Sequence, residues 1–171
     1  SMSNANKIVL GMLLAGMMSV DLGGPVNKAA YAFGTGMLAE GHYEIMAAVM
    51  AGGMVAPLAI ALLATFFPKK LPKKDRQSAL LNYIMGFSFI SEGAIPFASA
   101  DPIRVLVSCI IGSAVSGALS MAFNCTLMAP HGGIFVLPVV GNAPLYLVAI
   151  LAGAWVAAII MAMLKKNVWE K

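Results

Sequence analysis

The sequence predicts an all-α membrane protein, a polytopic helical bundle with re-entrant hairpins. Three observations carry that prediction. Of 171 residues, 60% are apolar and 11% charged, against about 25% charged residues in ordinary soluble domains; the mean hydropathy is +0.88. The charges cluster between long apolar runs. Two further apolar stretches are interrupted by glycine, proline and carboxylates. A chain so poor in charge cannot face water on all sides. The formal net charge of +4 lies at the ends of apolar runs, which is a topology signal, and no nucleic-acid partner is expected.

In chain order, Ile8 to Val20 is apolar but too short to span a bilayer, which takes about 20 residues. The turn Asp21-Leu-Gly-Gly-Pro-Val-Asn-Lys28 follows, expected to be non-helical, and then a second apolar run to Ala39. Three runs are long enough to cross: Glu44 to Phe67, about Val105 to Met128, and Leu145 to Leu164. Small residues recur every fourth position in each, as in Ala48-Gly52-Ala56, Gly112-Ser116-Ser120 and Ala149-Gly153-Ala157, which lets helices approach closely in lipid. Leu80 to Phe97 is broken by Ser91-Glu92-Gly93 and Pro96. Backbone groups freed at such a break must face protein or water, so residues 79–100 are expected to form a re-entrant hairpin with Glu92 near its tip. The hairpin turn around Asp21 is expected to lie close by.

Orientation follows from the basic clusters. Lys69, Lys70, Lys73, Lys74 and Arg76 crowd one connector, and Lys165, Lys166 and Lys171 the C-terminus; both are expected to be cytoplasmic. The connector Glu40 to Glu44 has no Lys or Arg and is expected outside. Cys109 and Cys125 fall in one apolar run and are expected to be reduced packing residues. The opening Ser1 to Ala5 has no signal-peptide layout and suits a chain that begins inside a longer protein.

With the charges of the connectors and chain ends set aside, a short list of ionisable residues remains: Asp21, Lys28, Glu92, Asp101, Arg104 and His131. Such groups at membrane depth are costly and mark function by default. Asp101 and Arg104 have the spacing of an i,i+3 pair at a helix start. Asp21 and Lys28 either neutralise one another or face a ligand. Glu92, beside Ser91 and Gly93 and with no basic neighbour in sequence, is the strongest candidate. A carboxylate there can accept two hydroxyl hydrogen bonds from one sugar. No phosphate-binding loop, nucleophile elbow or zinc-ligand spacing occurs, so no cofactor and no metal are expected.

Three segments together resemble a known family. Met17 to Phe33 carries the Asp21 turn. Phe89-Ile-Ser-Glu-Gly-Ala-Ile-Pro-Phe-Ala98 is followed by Asp101-Pro-Ile-Arg104. Ala129-Pro-His-Gly-Gly-Ile-Phe135 completes the set. They are similar to the fructose-type enzyme IIC membrane component of the bacterial phosphoenolpyruvate-dependent sugar phosphotransferase system. That family usually reads Gly-Ile-Thr-Glu where this chain reads Phe89-Ile90-Ser91-Glu92; the hydroxyl and carboxylate are kept and the glycine is replaced.

The resemblance implies that residues 1–171 are the C-terminal, substrate-binding half of a IIC domain. The IIA and IIB parts and the N-terminal dimerisation half are then absent from this chain. It implies a multi-pass protein of the bacterial inner membrane that binds a fructose-like sugar between two hairpins and moves it inward. There it presents a hydroxyl to phosphorylated IIB. The chain would belong to a protein-phosphocysteine–sugar phosphotransferase complex without being catalytic alone. By the same resemblance Glu92 meets the reacting hydroxyl, and Ser91, His131, Asp21, Asn27 and Lys28 are further substrate-binding candidates. Homodimerisation would run through the missing half. Two competing readings stay open: an ion- or proton-coupled secondary transporter, and a non-transporting membrane subunit.

Overall fold

The computed structural model describes residues 3–168; Lys171, used above for orientation, lies outside them. Its α-helices are α1 (Asn4–Met17), α2 (Pro25–Ala39), α3 (Tyr43–Phe66), α4 (Lys73–Phe87), α5 (Ile95–Ala100), α6 (Pro102–Ala122) and α7 (Ala143–Leu164). Two short strands, β1 (Thr126–Leu127) and β2 (Val140–Gly141), pair antiparallel between α6 and α7.

Helix α3 is the axis of the bundle. Every residue from Ile45 to Ala64 is buried, as expected of a helix that is apolar all round and surrounded by others. Helices α6 and α7 pack on it and on each other, and these three are the described helices long and apolar enough to cross a membrane. The small-residue rows mark the contacts. A methyl group added to Gly112 would meet Gly153 O at 2.5 Å, and one on Gly52 would meet Ala15 Cα at 2.6 Å. Large apolar side chains left outside, such as Leu13, Leu81, Ile84, Ile103 and Met163, suit a lipid face better than water.

The span expected at about 105–128 is displaced in the structure to 102–122. Pro102 fits the first helical turn, where its missing N–H costs nothing. At the other end Asn124 takes φ 53 and the chain turns into β1. Cys125 therefore lies beyond the helix rather than within it; both cysteines are free and buried.

Direction along α3 defines the two hairpins. Helix α1 is antiparallel to α6, with Gly11 against Gly117 and Gly16 against Ile110. It enters from the end where α3 begins and stops near mid-depth, where Gly52 meets Ala15. Helix α2 then returns to that same end, with Gly34 against Met46 and Val49. Residues 18–24 are non-helical, as expected, but Pro25 to Lys28 form the first turn of α2. The expectation of an irregular turn through Lys28 is corrected: Pro25 is pre-set for a helix start.

The second hairpin enters from the opposite end. Helix α4 runs antiparallel to α3, with Tyr83 OH 2.7 Å from Thr65 Oγ1 and Gly86 against Leu58. It ends at Phe87, opposite the middle of α3, where Ser91 Oγ donates to Gly53 O at 2.8 Å. A 3-10 turn over Ser91–Ala94 leads into α5. The chain is back at its starting end by Asp101, whose Oδ2 lies 3.0 Å from Lys165 Nζ; Lys70 Nζ in turn donates to Lys165 O at 2.8 Å. Residues 79–100 thus lie within a hairpin that reaches mid-depth and returns, with its first arm starting at Lys73.

Candidate functional site

The two hairpin tips meet near the middle of α3. Gly23, at φ +100, abuts the Glu92 side chain so closely that a methyl group there would sit 2.7 Å from Oε1. A third segment reaches the same place, because the loop between β1 and β2 folds inward. His131 stacks on Phe89 with ring centroids 4.9 Å apart, and a side chain at Gly133 would collide with Phe87 O. The three segments enclose a cavity of about 180 Å³ lined by Met18, Asn27, Tyr31, Phe89, Ile90, Ser91, Glu92 and His131. That is smaller than the roughly 300–1,000 Å³ of sites for drug-sized ligands and suits one small polar molecule.

Of the six candidates from sequence, four line this cavity: Glu92, Ser91, Asn27 and His131. Glu92 is exposed and lines the cavity, and among the described residues nothing hydrogen-bonds or ion-pairs with its carboxylate. Asn27 is 7% exposed; its Nδ2 donates to Met18 O at 2.7 Å, which leaves Oδ1 as an acceptor. Ser91 spends its one hydroxyl proton on Gly53 O. Its Oγ keeps only acceptor capacity, and its first task is to pin the hairpin tip to α3.

Asp21 and Lys28 lie elsewhere. The Asp21 carboxylate accepts from Val26 N at 2.7 Å and Asn27 N at 2.9 Å, so it caps the start of α2, where these N–H groups lack helical partners. It lines a neighbouring cavity of about 300 Å³ together with Leu22, Ile95 and Pro102. Lys28 is exposed on α2. No ion pair joins Asp21 and Lys28 among the described residues, so their mutual neutralisation is not what the fold uses.

Four wall residues were not among the site candidates: Met18, Tyr31, Phe89 and Ile90. Tyr31 sits four residues after Asn27, on the same helix face, and that spacing was a readable signal. Phe89 stands out only as the replacement of the family's usual glycine; its place depends on a left-handed backbone, φ 62, at the end of α4.

The hydroxyls of the bundle interior form a second set of fastenings. Ser113 Oγ donates to Gly52 O at 2.9 Å, so the 2.6 Å contact between Ser19 and Ser113 has Ser19 as donor. The first hairpin is thereby tied, through α6, to the carbonyl next to the one that holds the second.

A larger cavity, about 660 Å³, opens at the basic end beneath α5, with Lys70, Lys74, Arg104, Lys165 and Lys166 against Asp75 and Asp101 in its walls. The Asp101–Arg104 pair expected at the helix start is present at 3.4 Å. Partial burial pushes the Asp101 carboxyl up, but hydrogen bonds and attraction from Lys165 and Arg104 outweigh it and hold the group below its ordinary 3.8.

Comparison with known proteins completes the description. The chain is 50% identical over 171 residues to the "Fructose permease IIC component" of Bacillus amyloliquefaciens, covering all of this chain and 56% of the relative. The chain is a homologue of the fructose-type IIC membrane components. It is 49% identical over its whole length to the "PTS system fructose-specific EIIABC component" of Bacillus subtilis, covering 27% of that protein. It is 51% identical over 173 residues to the "PTS system fructose-specific EIIB'BC component" of Escherichia coli, covering 97% of this chain and 30% of that one. The chain thus spans between about a quarter and just over half of these relatives. No protein-family model matches it, and no solved structure does. Homology over the full chain puts all three segments of the cavity, and both hairpins, inside the region shared with fructose-type IIC components.

Proposed function

We propose that this chain is the sugar-handling, C-terminal half of a fructose-type phosphotransferase permease. A fructose-like monosaccharide binds where the hairpin tips meet, is carried across the bacterial inner membrane, and is presented to phosphorylated IIB. One observation carries the reading: Glu92, a carboxylate without a partner among the described residues, faces a small cavity made from three chain segments. The unpartnered acceptors there, Glu92 and Asn27 Oδ1, match sugar hydroxyls. The apolar faces of Phe89 and Tyr31 match the C–H faces of a sugar ring.

The chemistry of phosphoryl transfer needs a phosphoryl donor, and the relatives named EIIABC and EIIB'BC components carry such parts in their names. The IIC chain then contributes binding and orientation, which in phosphoryl transfer supply most of the catalysis. The basic cavity beneath α5 is the approach for phosphorylated IIB, since its cations favour a phosphoryl group. Homodimerisation runs through a segment outside this chain.

The test uses the intact transporter in membrane vesicles. Sugar phosphate should appear when phosphoenolpyruvate and the soluble phosphotransferase proteins are supplied, whether or not a membrane potential is present. Uptake of unmodified sugar that needs the potential and ignores phosphoenolpyruvate would make the protein an ion- or proton-coupled carrier instead. A protein that handles no sugar in either assay is a non-transporting subunit.

A further inference from the structure

Among the described residues, three helices end with the same cap, and one of the three uses a costly residue. In each, the residue after the C-cap is left-handed and two reversed backbone bonds close the turn. At the end of α2 these are Gly41 N to Leu38 O, 3.1 Å, and His42 N to Met37 O, 2.9 Å. After α6 they are Asn124 N to Met121 O, 3.1 Å, and Cys125 N to Ser120 O, 3.0 Å. After α4 they are Phe89 N to Gly86 O, 3.1 Å, and Ile90 N to Met85 O, 2.9 Å.

Glycine and asparagine are the residues that tolerate this position. The chain uses them at Gly41 and Asn124, and neither lines the cavity between the hairpin tips. At the cap that does line it, the left-handed residue is Phe89, whose bulk makes φ 62 a genuine outlier. Strained residues of this kind persist where the surroundings over-determine them, and they cluster at functional sites.

The surroundings of Phe89 are specific. Its ring fits against Gly53, where any side chain would collide with it. It lies 4.9 Å from the His131 ring and 6.2 Å from that of Tyr31, centroid to centroid. It is 5% exposed and forms a wall of the cavity beside Ser91 and Glu92. The ring therefore packs against Gly53 and beside the His131 and Tyr31 rings while bounding the cavity that Glu92 also lines. A glycine would relax the backbone and leave the cavity larger by a benzyl group.

We propose that the Phe89 ring is the specificity determinant of this cavity, limiting it to a small unsubstituted monosaccharide. The inference rests on the reading of the cavity as the sugar site. Its bland rival is a ring that only fills the notch at Gly53. The two differ in what they predict for ratios between substrates. A packing role weakens handling of every sugar alike, whereas a wall changes which sugars fit.

The experiment uses the intact transporter in vesicles with phosphoenolpyruvate and the soluble phosphotransferase proteins. The reference is whichever unmodified monosaccharide the wild type phosphorylates best. The challengers are its singly O-methylated derivatives. The readout is kcat/KM of each challenger divided by that of the reference. Phe89→Gly should raise this ratio for at least one derivative by about tenfold, the scale of discrimination that one methyl-sized group confers in a close-fitting pocket. Phe89→Leu should raise it less. Ratios within twofold of wild type for every derivative, in whichever of the two variants reach the membrane, overturn the proposal. Loss of both variants from the membrane also counts against it, because it makes the ring a folding element. A wild type that phosphorylates no monosaccharide defeats the underlying sugar reading instead, and that result is seen before any variant is made.

Discussion

Ser91 supplies the hydrogen bond that Pro57 removes from α3. A proline has no N–H, so within α3 the carbonyl four residues before Pro57, that of Gly53, has no helical donor. That carbonyl is buried, and an unmet buried acceptor is costly. The Ser91 hydroxyl donates to it at 2.8 Å. The interruption in α3 and the break in the hairpin are therefore two halves of one interaction, and together they fix the depth of the Glu92 tip.

A double-mutant cycle tests this coupling. Ser91→Ala alone orphans Gly53 O and should lower the stability of the intact transporter by about 1–3 kcal/mol, the range for leaving a buried group unsatisfied. Pro57→Ala restores a helical donor to the same carbonyl. In that background Ser91→Ala should cost distinctly less, so the two effects should depart from additivity by about 1 kcal/mol or more. Thermal unfolding in detergent, with the four proteins side by side, measures it. Strict additivity would mean the two residues act independently.

Asp21 is expected to matter for folding rather than for sugar. Its carboxylate holds Val26 N and Asn27 N, and it lies outside the walls of the Glu92 cavity. Asp21→Ala should destabilise by about 1–2 kcal/mol, the upper range for losing a helix cap, while Asp21→Asn, which can still accept, should lose much less. The KM for sugar should stay within about twofold in Asp21→Asn, far below a tenfold change in binding free energy. A KM raised tenfold or more with stability intact would return Asp21 to the site.

Sidedness is open to direct chemical reading. Gln77 and Glu40 are both exposed, at opposite ends of the bundle, and the native Cys109 and Cys125 are buried, so background labelling should be low. Lys69, Lys70, Lys73, Lys74 and Arg76 place the Gln77 end inside by the positive-inside rule. An impermeant thiol reagent added to intact cells should label Glu40→Cys and spare Gln77→Cys. The reverse pattern would invert the entire topology.

Much of this fold was legible from hydropathy and charge, because lipid leaves the chain few options. Uninterrupted runs gave α3 and α7 within one or two residues, and the Ser-Glu-Gly break announced a hairpin. What the sequence hid was local backbone geometry. The end of α6 was misplaced since an apolar run cannot reveal that Asn124 turns left-handed and that Thr126–Leu127 extend into a strand. Ionisable residues stood out in the sequence, and two of them, Glu92 and His131, line the cavity between the hairpin tips. The same reasoning could not foresee that Asp21 caps α2 and that Lys28 is exposed on it, because such charges look alike in one dimension. Phe89 stood out as the replacement of a glycine, but its role as a wall was not legible, since an aromatic residue in an apolar stretch reads as core.

The final expectation concerns Glu92. Among the described residues its carboxylate has no partner, so removing its charge deprives the folded chain of nothing. Glu92→Gln keeps the shape of the side chain and one acceptor oxygen. It loses the charge-assisted hydrogen bonds that a carboxylate makes to sugar hydroxyls, roughly twice as strong as neutral ones. It also loses any capacity to take the hydroxyl proton as the phosphoryl group arrives, a contribution of about 10²–10⁴ where general-base catalysis operates. Thermal stability and abundance in the membrane should therefore match wild type. Phosphorylation of the sugar by the intact transporter, with phosphoenolpyruvate and the soluble proteins, should fall by at least about tenfold, equivalent to roughly 1.4 kcal/mol of transition-state stabilisation. Turnover at the wild-type rate would remove Glu92 from the reaction. A variant that fails to accumulate would contradict the structure more directly, because it would give Glu92 a folding partner where none is seen.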